Sequence, residues 1–181
     1  MKKFFFLGWA IIFIGLANTI GYSQQADQPN QPNYWLGMGI GKSQLPSGMI
    51  ALGYEFATKP TLLVVRYTDN RELFPAYSPG LLTQEVALLY GLKAGKFRFS
   101  TGISNVWGFN RGKYLYTDPK PFLGSGEVYE SIRYSTVGLP AEIRFITSLK
   151  SVGIGVTAFG NLNAKRSFAG LNLSLYVGKM K

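Results

Sequence analysis

The chain has 181 residues, with 19 Lys and Arg against 9 Asp and Glu and a formal charge of +10, a length that suits one domain. It contains no Cys and no His. That excludes a disulfide framework, a thiol nucleophile, a lipoprotein attachment site and a serine–histidine triad, and it removes the usual ligands of a tetrahedral zinc site. Charged residues are only 15%, against roughly a quarter in ordinary soluble domains, while aromatics also reach 15% and glycines number 22.

Residues 1–23 read as a secretory signal peptide. Met1-Lys2-Lys3 is a positive start, Phe4 to Ala17 is an apolar run, and Gly21 and Ser23 place small residues at −3 and −1 of a cut before Gln24. The run is short of the ~20 residues a spanning helix needs. Losing Lys2 and Lys3 lowers the formal charge from +10 to +8. Residues 24–32 are polar, hold Pro29 and Pro32, and read as a loose lead-in. An exported chain does not meet nucleic acid in its normal work, so its basicity points to a membrane surface or an anionic partner.

Residues 33–181 alternate with period two in eight segments, roughly 34–43, 47–58, 61–69, 83–93, 96–107, 133–147, 151–161 and 166–178. One face of each is bulky and apolar. In chain order it includes Leu36, Met38 and Ile40, then Ile50, Leu52, Tyr54 and Phe56, then Leu63, Val65 and Tyr67. It continues through Val86, Leu88 and Tyr90, through Phe97, Phe99, Ile103 and Trp107, and through Val137, Leu139, Ile143 and Phe145. It ends with Val152, Ile154 and Val156 and with Leu171, Leu173, Leu175 and Val177. The opposite face is small or polar: Gly37, Gly39, Gly41, Ala51, Gly53, Ser100, Gly102, Ser104, Gly138, Asn172 and Ser174 among others. A soluble sandwich or lipocalin turns its apolar face inward and carries many charges outside. Here the second face has about one charge per strand, and its small side chains suit the cramped interior of an eight-stranded barrel. The expected fold is therefore all-β: an eight-stranded antiparallel up-and-down transmembrane β-barrel, apolar outward and closed because hydrocarbon leaves no partner for a free backbone edge.

Loop lengths and aromatics agree with that reading. With the N-terminus on the periplasmic side, the connections Thr58-Lys59-Pro60, Lys93-Ala94-Gly95-Lys96 and about 148–150 are tight. The two long connections, about 70–82 and 108–132, fall on the outer side, as outer-membrane barrels require. Tyr34, Tyr54, Phe56, Tyr90, Phe97, Phe99 and Phe145 gather at the periplasmic strand ends, with Tyr67 and Trp107 at the outer ends. Such belts follow from rings that are both apolar and polar. Pro140 stands inside a segment and removes a ladder donor, which predicts a bulge or local break.

The signal peptide, the eight-segment meander and the absence of Cys make the chain similar to small outer-membrane barrels of the OmpA and OmpX kind. The segment Val137-Gly138-Leu139-Pro140-Ala141-Glu142-Ile143-Arg144-Phe145 resembles the G-[IL]-P strand of the outer-membrane β-barrel domain common in Bacteroidota, which includes PorT-like proteins. The resemblance implies an outer-membrane location and insertion by the barrel insertion machinery. The chain departs from many proteobacterial barrels in ending Tyr176-Val177-Gly178-Lys179-Met180-Lys181 rather than on an aromatic residue.

The inward face carries Glu55, Arg66, Glu85, Arg98, Glu142 and Arg144, three acids and three bases. A narrow lumen penalises unpaired charge, so a balanced network is expected. It reads either as a structural plug of paired side chains or as a gated pore or proton path. Eight strands leave little room for a channel, which favours the plug. Outside, Arg111, Lys113, Tyr114, Tyr116, Lys120, Lys165 and Arg166 are the candidate outer-loop contacts. Aromatic and basic groups together suit a protein or glycan partner, and Lys and Arg near the surface suit the phosphates of outer-membrane lipid and lipopolysaccharide.

No catalytic, cofactor-binding or metal-ligating set stands out. Gly124-Ser125-Gly126 lacks the full nucleophile elbow, and the Gly37–Gly41 run is followed by no helix and is no dinucleotide fingerprint. The expected function is a non-enzymatic barrel acting through its outer loops in envelope structure, adhesion or assembly. The alternatives are a secreted lipocalin-like barrel with a small apolar ligand and a lipid-modifying barrel enzyme.

Overall fold

The computed structural model describes residues 31–121, 124–149 and 151–180. The signal-peptide reading of residues 1–23, and the lead-in up to residue 30, lie outside the described residues. Eight strands follow one another: β1 (Asn33–Lys42), β2 (Pro46–Glu55), β3 (Thr61–Arg71), β4 (Leu82–Ala94), β5 (Phe97–Thr117), β6 (Glu127–Leu149), β7 (Val152–Asn163) and β8 (Phe168–Lys179). Each pairs antiparallel with its sequence neighbour, and β8 pairs antiparallel with β1, so the sheet is a closed barrel with no edge in its wall.

The register sets the tilt. Cross-strand partners traced from Tyr34 run through Tyr54, Leu63, Tyr90, Thr101, Ala141 and Gly160 to Ala169. Ala169 lies two residues before Leu171, which pairs with Lys42. The circuit therefore closes about ten residues along β1 from its start, and with standard strand spacings this stagger tilts the strands by about 40°. Ten residues at that tilt climb about 25 Å, the height of the apolar band of an outer-membrane barrel.

Burial alternates along the barrel part of the strands, as in the β3 pattern in which Leu62, Val64 and Arg66 are buried while Leu63 and Val65 are exposed. Leu52, Leu88, Ile103, Val137, Leu139, Ile154, Leu171, Leu173 and Leu175 all project outward. Tyr54 stacks edge-on against Phe56, and Phe97 lies against both Phe99 and Phe145 at the end where β1 begins and β8 ends. At the opposite end Trp107 Nε1 donates to Gln84 Oε1 at 2.9 Å, and Gln84 Nε2 donates to Tyr67 Oη at 2.7 Å and Asp69 Oδ2 at 2.9 Å. This polar knot stands where the apolar band stops.

Two expectations need correction, and a third is met in one of its two forms. The long connection placed at 108–132 is mostly strand. β5 runs for 21 residues and β6 for 23, which leaves only 118–126 as the turn. Two register shifts, between Arg111 and Tyr114 and between Tyr114 and Tyr116, break the period-two pattern there and hide the strands from a reading of alternation. At Pro140 the expected local break is present and the bulge is not: β5 and β6 pair at Thr101↔Ala141 and at Ser104↔Gly138 in one register, with no pairing at Leu139 and Pro140 between them. Pro140 still opposes Asn161 on β7, and Thr101 Oγ1 donates to its carbonyl at 2.9 Å. The inner face is not only small or polar, since Trp35, Leu62, Val64, Leu89, Val106, Phe159, Phe168 and Tyr176 are buried on it.

Glycines make room for these bulky groups. A Cβ on Gly53 would sit 2.1 Å from the Trp35 indole, and one on Gly37 would sit 2.6 Å from the Tyr176 ring. Gly95 does a different task. It occupies the left-handed region (φ 59°) in the tight turn between β4 and β5, where an L side chain would be strained.

Candidate functional site

Strand alternation aims the six predicted charges into the lumen, and the structure brings them into two groups. In the middle of the barrel the Arg66 guanidinium bridges two carboxylates, Glu85 at 2.7 Å and Glu142 at 2.9 Å. Glu142 also accepts two bonds from Arg144, at 2.5 Å from Nε and 2.8 Å from Nη2. Two acids and two bases thus form one chain, Glu85–Arg66–Glu142–Arg144, each no more than 3% exposed. Bidentate, charge-assisted geometry of this kind is what lets ions persist away from water. Near the termini a second group forms around Glu55, which takes Arg98 Nε at 2.6 Å and Lys93 Nζ at 2.7 Å.

Several partners escape a reading of charge alone. Lys93, expected in a periplasmic turn, belongs to β4 and reaches into the lumen. Trp35 Nε1 donates to Glu55 at 3.2 Å, and the Trp35 ring lies 5.1 Å from the Arg144 guanidinium carbon. Tyr176 stacks edge-on against Trp35, and its hydroxyl accepts from Arg144 Nη1 at 3.3 Å. Asn161 donates to Glu85 and to Ser104, both at 2.6 Å. Phe159 underlies Arg66 at 5.6 Å. The missing signal was parity: Trp35 shares its face with Gly37 and Gly39, and Tyr176 shares its face with Asn172 and Ser174.

Two apolar layers complete the filling. Trp35, Leu62, Val64, Leu89, Ile146, Tyr176 and Met180 form one cluster; Met49, Val106, Phe159 and Phe168 form the other, with Tyr134 packed on it. On the remaining wall, one cross-strand row joins Asn172, Gly41, Ser47 and Asn70. Asn172, Ser47 Oγ and Asn70 Nδ2 have no protein partner among the described residues. Leaving such groups unmet is costly, so this wall is the part of the interior suited to ordered water.

The second candidate site stands outside the barrel. β4 stops pairing with β5 at Leu82↔Phe109, and β7 stops pairing with β6 at Gly138↔Asn163, so the β5–β6 hairpin projects beyond its neighbours. The β3–β4 connection folds onto it. Ser78 N donates to the Glu127 carbonyl at 3.0 Å, Tyr129 N donates to the Ser78 carbonyl at 2.7 Å, and Ser125 N donates to the Ala76 carbonyl at 2.8 Å. Arg111 is the anchor. It pairs with Glu72, donates to the Pro79 carbonyl at 3.0 Å, and lies 5.3 Å over the Tyr77 ring. Tyr77, Tyr129 and Tyr114 stack edge to face. Tyr129 also donates to Glu127 at 2.7 Å, and this bond to a carboxylate, with burial and the adjacent charge, pushes its phenol above the ordinary value.

Of the predicted outer contacts, Arg111, Lys113, Tyr114 and Tyr116 thus lie on β5 and Lys120 in the β5–β6 turn. Lys165 and Arg166 lie in the β7–β8 turn, which Asn163 shapes by accepting from both their backbone amides. Arg166 then reaches Asn110 of β5 at 2.7 Å.

These features define a closed eight-stranded barrel with an apolar exterior and a filled interior of paired charges. The chain is similar to the N-terminal β-barrel domain of Pseudomonas aeruginosa OprF, with a TM-score of 0.51 at 9% identity over 82% of this chain and 99% of that one. It also aligns with a de novo designed transmembrane β-barrel at a TM-score of 0.38 and 11% identity, over 85% of this chain and 99% of that one. No protein-family model and no curated protein matches the sequence.

Proposed function

We propose that this chain is an integral outer-membrane β-barrel, of the kind represented by OmpA/OmpX-like and PorT-like proteins, exported by its signal peptide. In this reading the lumen is a structural plug. The work is done by the projecting hairpin, in envelope structure, adhesion or assembly. One observation carries the proposal: large apolar side chains cover the exterior of all eight strands while arginine and glutamate fill the centre. Around a barrel of this stagger and height the apolar belt covers on the order of 1,000 Å². Soluble monomers rarely expose more than a few hundred Å² in one patch. A lipocalin-like role would call for an apolar chamber, and the centre holds the Glu85–Arg66–Glu142–Arg144 chain instead.

The proposed partners are outer-membrane lipid and lipopolysaccharide around the belt, the barrel insertion machinery during assembly, and a protein or glycan at the hairpin. The non-enzymatic reading is supported by the lumen carboxylates, each held by one or two cations. Membrane fractionation with surface proteolysis tests the whole. The protein should partition with the outer membrane, migrate differently on a denaturing gel when unheated, and be cut from outside within 72–81 or 118–126. Recovery as a soluble periplasmic protein would overturn it.

A further inference from the structure

The docked loop and the described part of the hairpin turn form a half-open recess of about 400 Å³, lined by Pro75, Tyr77, Tyr116, Pro121 and the acidic residues Asp118 and Glu127. That is the lower part of the size range of small-ligand sites. Among the described residues no Lys or Arg lines it, although the connections and strand tips at this end carry Arg111, Lys113, Lys120, Arg133, Lys165 and Arg166. It is an acidic, aromatic recess in a basic surface.

Its walls are fixed before any ligand arrives. Asp118 N donates to the Gly126 carbonyl at 2.8 Å and closes the turn. Gly126 sits at φ +81°, and a Cβ there would meet the Asp118 carbonyl at 2.5 Å. On the other side, Ser78 and Ala76 are tied to the hairpin backbone, and Arg111 holds the Tyr77 and Pro79 carbonyls. Each acid also keeps an acceptor in reserve. Asp118 Oδ1 takes the Lys120 amide and Glu127 Oε2 takes the Tyr129 hydroxyl. Among the described residues nothing donates to Asp118 Oδ2 or Glu127 Oε1.

We propose that this recess binds a cationic side chain, arginine or lysine, presented by an exposed peptide of a partner protein. Carboxylates neutralise the charged head, the exposed Tyr116 ring attracts it through its quadrupole, and the prolines cover the methylene stem. The surround is basic on balance, although Asp69, Glu72 and Glu130 also stand at this end, and it disfavours the same ligand elsewhere, which gives register as well as attraction. The inference deepens the reading of the hairpin as the working end and rests on it. The test is nonetheless made on purified barrel, so that a failure to bind is separable from a failure to reach the membrane.

The experiment is an amide NMR titration of the folded protein in detergent micelles. The probes are a capped glycyl-arginyl-glycine tripeptide, its uncharged citrulline counterpart, and maltotriose. The arginyl peptide should shift the amides of residues 76–78, 118 and 127 saturably. The citrulline peptide, the Asp118→Asn/Glu127→Gln variant and added salt should each weaken binding by about tenfold or more. Tyr116→Ala, at an exposed position, should weaken it as well and serves if the acidic variant does not fold. Equal binding of the citrulline peptide, no saturable shift in a well-dispersed spectrum, or shifts caused by maltotriose alone would overturn the proposal.

Discussion

Replacing Glu142 by Gln tests the lumen directly. The glutamate lies between two buried guanidiniums, accepting from Arg66 at 2.9 Å and from Arg144 at 2.5 and 2.8 Å. The substitution keeps shape and volume but leaves the chain Glu85–Arg66–Gln–Arg144 with one net positive charge, in a centre where Arg66 and Arg144 are at most 1% exposed. Removing one partner of a buried pair typically costs about 3–5 kcal/mol, because the remaining charge is stranded without water. Adding Arg144→Met restores charge balance, since Arg66 keeps Glu85. The double variant should therefore be more stable than the two single losses predict, with a coupling of about 1–3 kcal/mol. Urea unfolding in lipid vesicles, read by tryptophan fluorescence, measures both quantities; Trp35 lies 5.1 Å from the Arg144 guanidinium and reports on the site itself. A single variant within about 1 kcal/mol of the parent, or strict additivity, would refute the claim that these ions depend on one another.

Other perturbations separate the two faces and the platform. Leu88→Arg, on the belt, should cost about 2–4 kcal/mol in bilayers if it lies near mid-membrane, and a near-neutral result would contradict the outward-to-lipid orientation. Gly53→Ala forces a Cβ to 2.1 Å of the Trp35 indole, whereas Gly48→Ala meets nothing within 4 Å. The first should lose about 1–3 kcal/mol in the same unfolding assay and the second about 0.5 kcal/mol or less, and equal effects would refute the lock between glycine and indole. Arg111→Ala removes the side chain that holds Glu72 and the Tyr77 and Pro79 carbonyls. It should speed proteolysis within 72–81 while leaving heat-modifiable migration unchanged; unchanged cleavage would show that the backbone bonds of Ser78 and Ser125 suffice.

The barrel was legible because its two faces differ at every second residue. Leu63 and Val65 against Leu62, Val64 and Arg66 show the limit of that signal. Over residues 62–65 both parities of β3 are apolar, and the polar Arg66, Thr68 and Asn70 further along tell which one faces in. The lumen charges followed from the same parity, but their partners did not: Lys93 sits near a strand end that looks like a turn, and Tyr176 lies in the last segment on the face that reads as small or polar. The platform had no local signature. It depends on backbone bonds from Ser78 to Glu127 and Tyr129, some 50 residues apart, and on register shifts that cancel alternation just where β5 and β6 leave the barrel. Long-range backbone pairing carries no residue preference strong enough to be read from one chain.

The filled interior and the projecting hairpin are two consequences of one geometry. Eight strands with a stagger of about ten enclose a space wide enough only for side chains. Trp35, Tyr176 and Phe159 fill it closely enough that a Cβ on Gly53, Gly37 or Gly170 beside them would clash. The belt outside is committed to apolar residues. Neither wall has freedom left for recognition. The chain can vary only where strands outrun their neighbours, and β5 and β6 do so by several residues on each side of the 118–126 turn. There the backbone is extended but no longer constrained by the apolar belt on one side or lumen packing on the other, so polar, aromatic and acidic groups can share one surface. That freedom is why Asp118, Glu127, Tyr77 and Tyr116 can converge at the tip and nowhere else on the barrel wall.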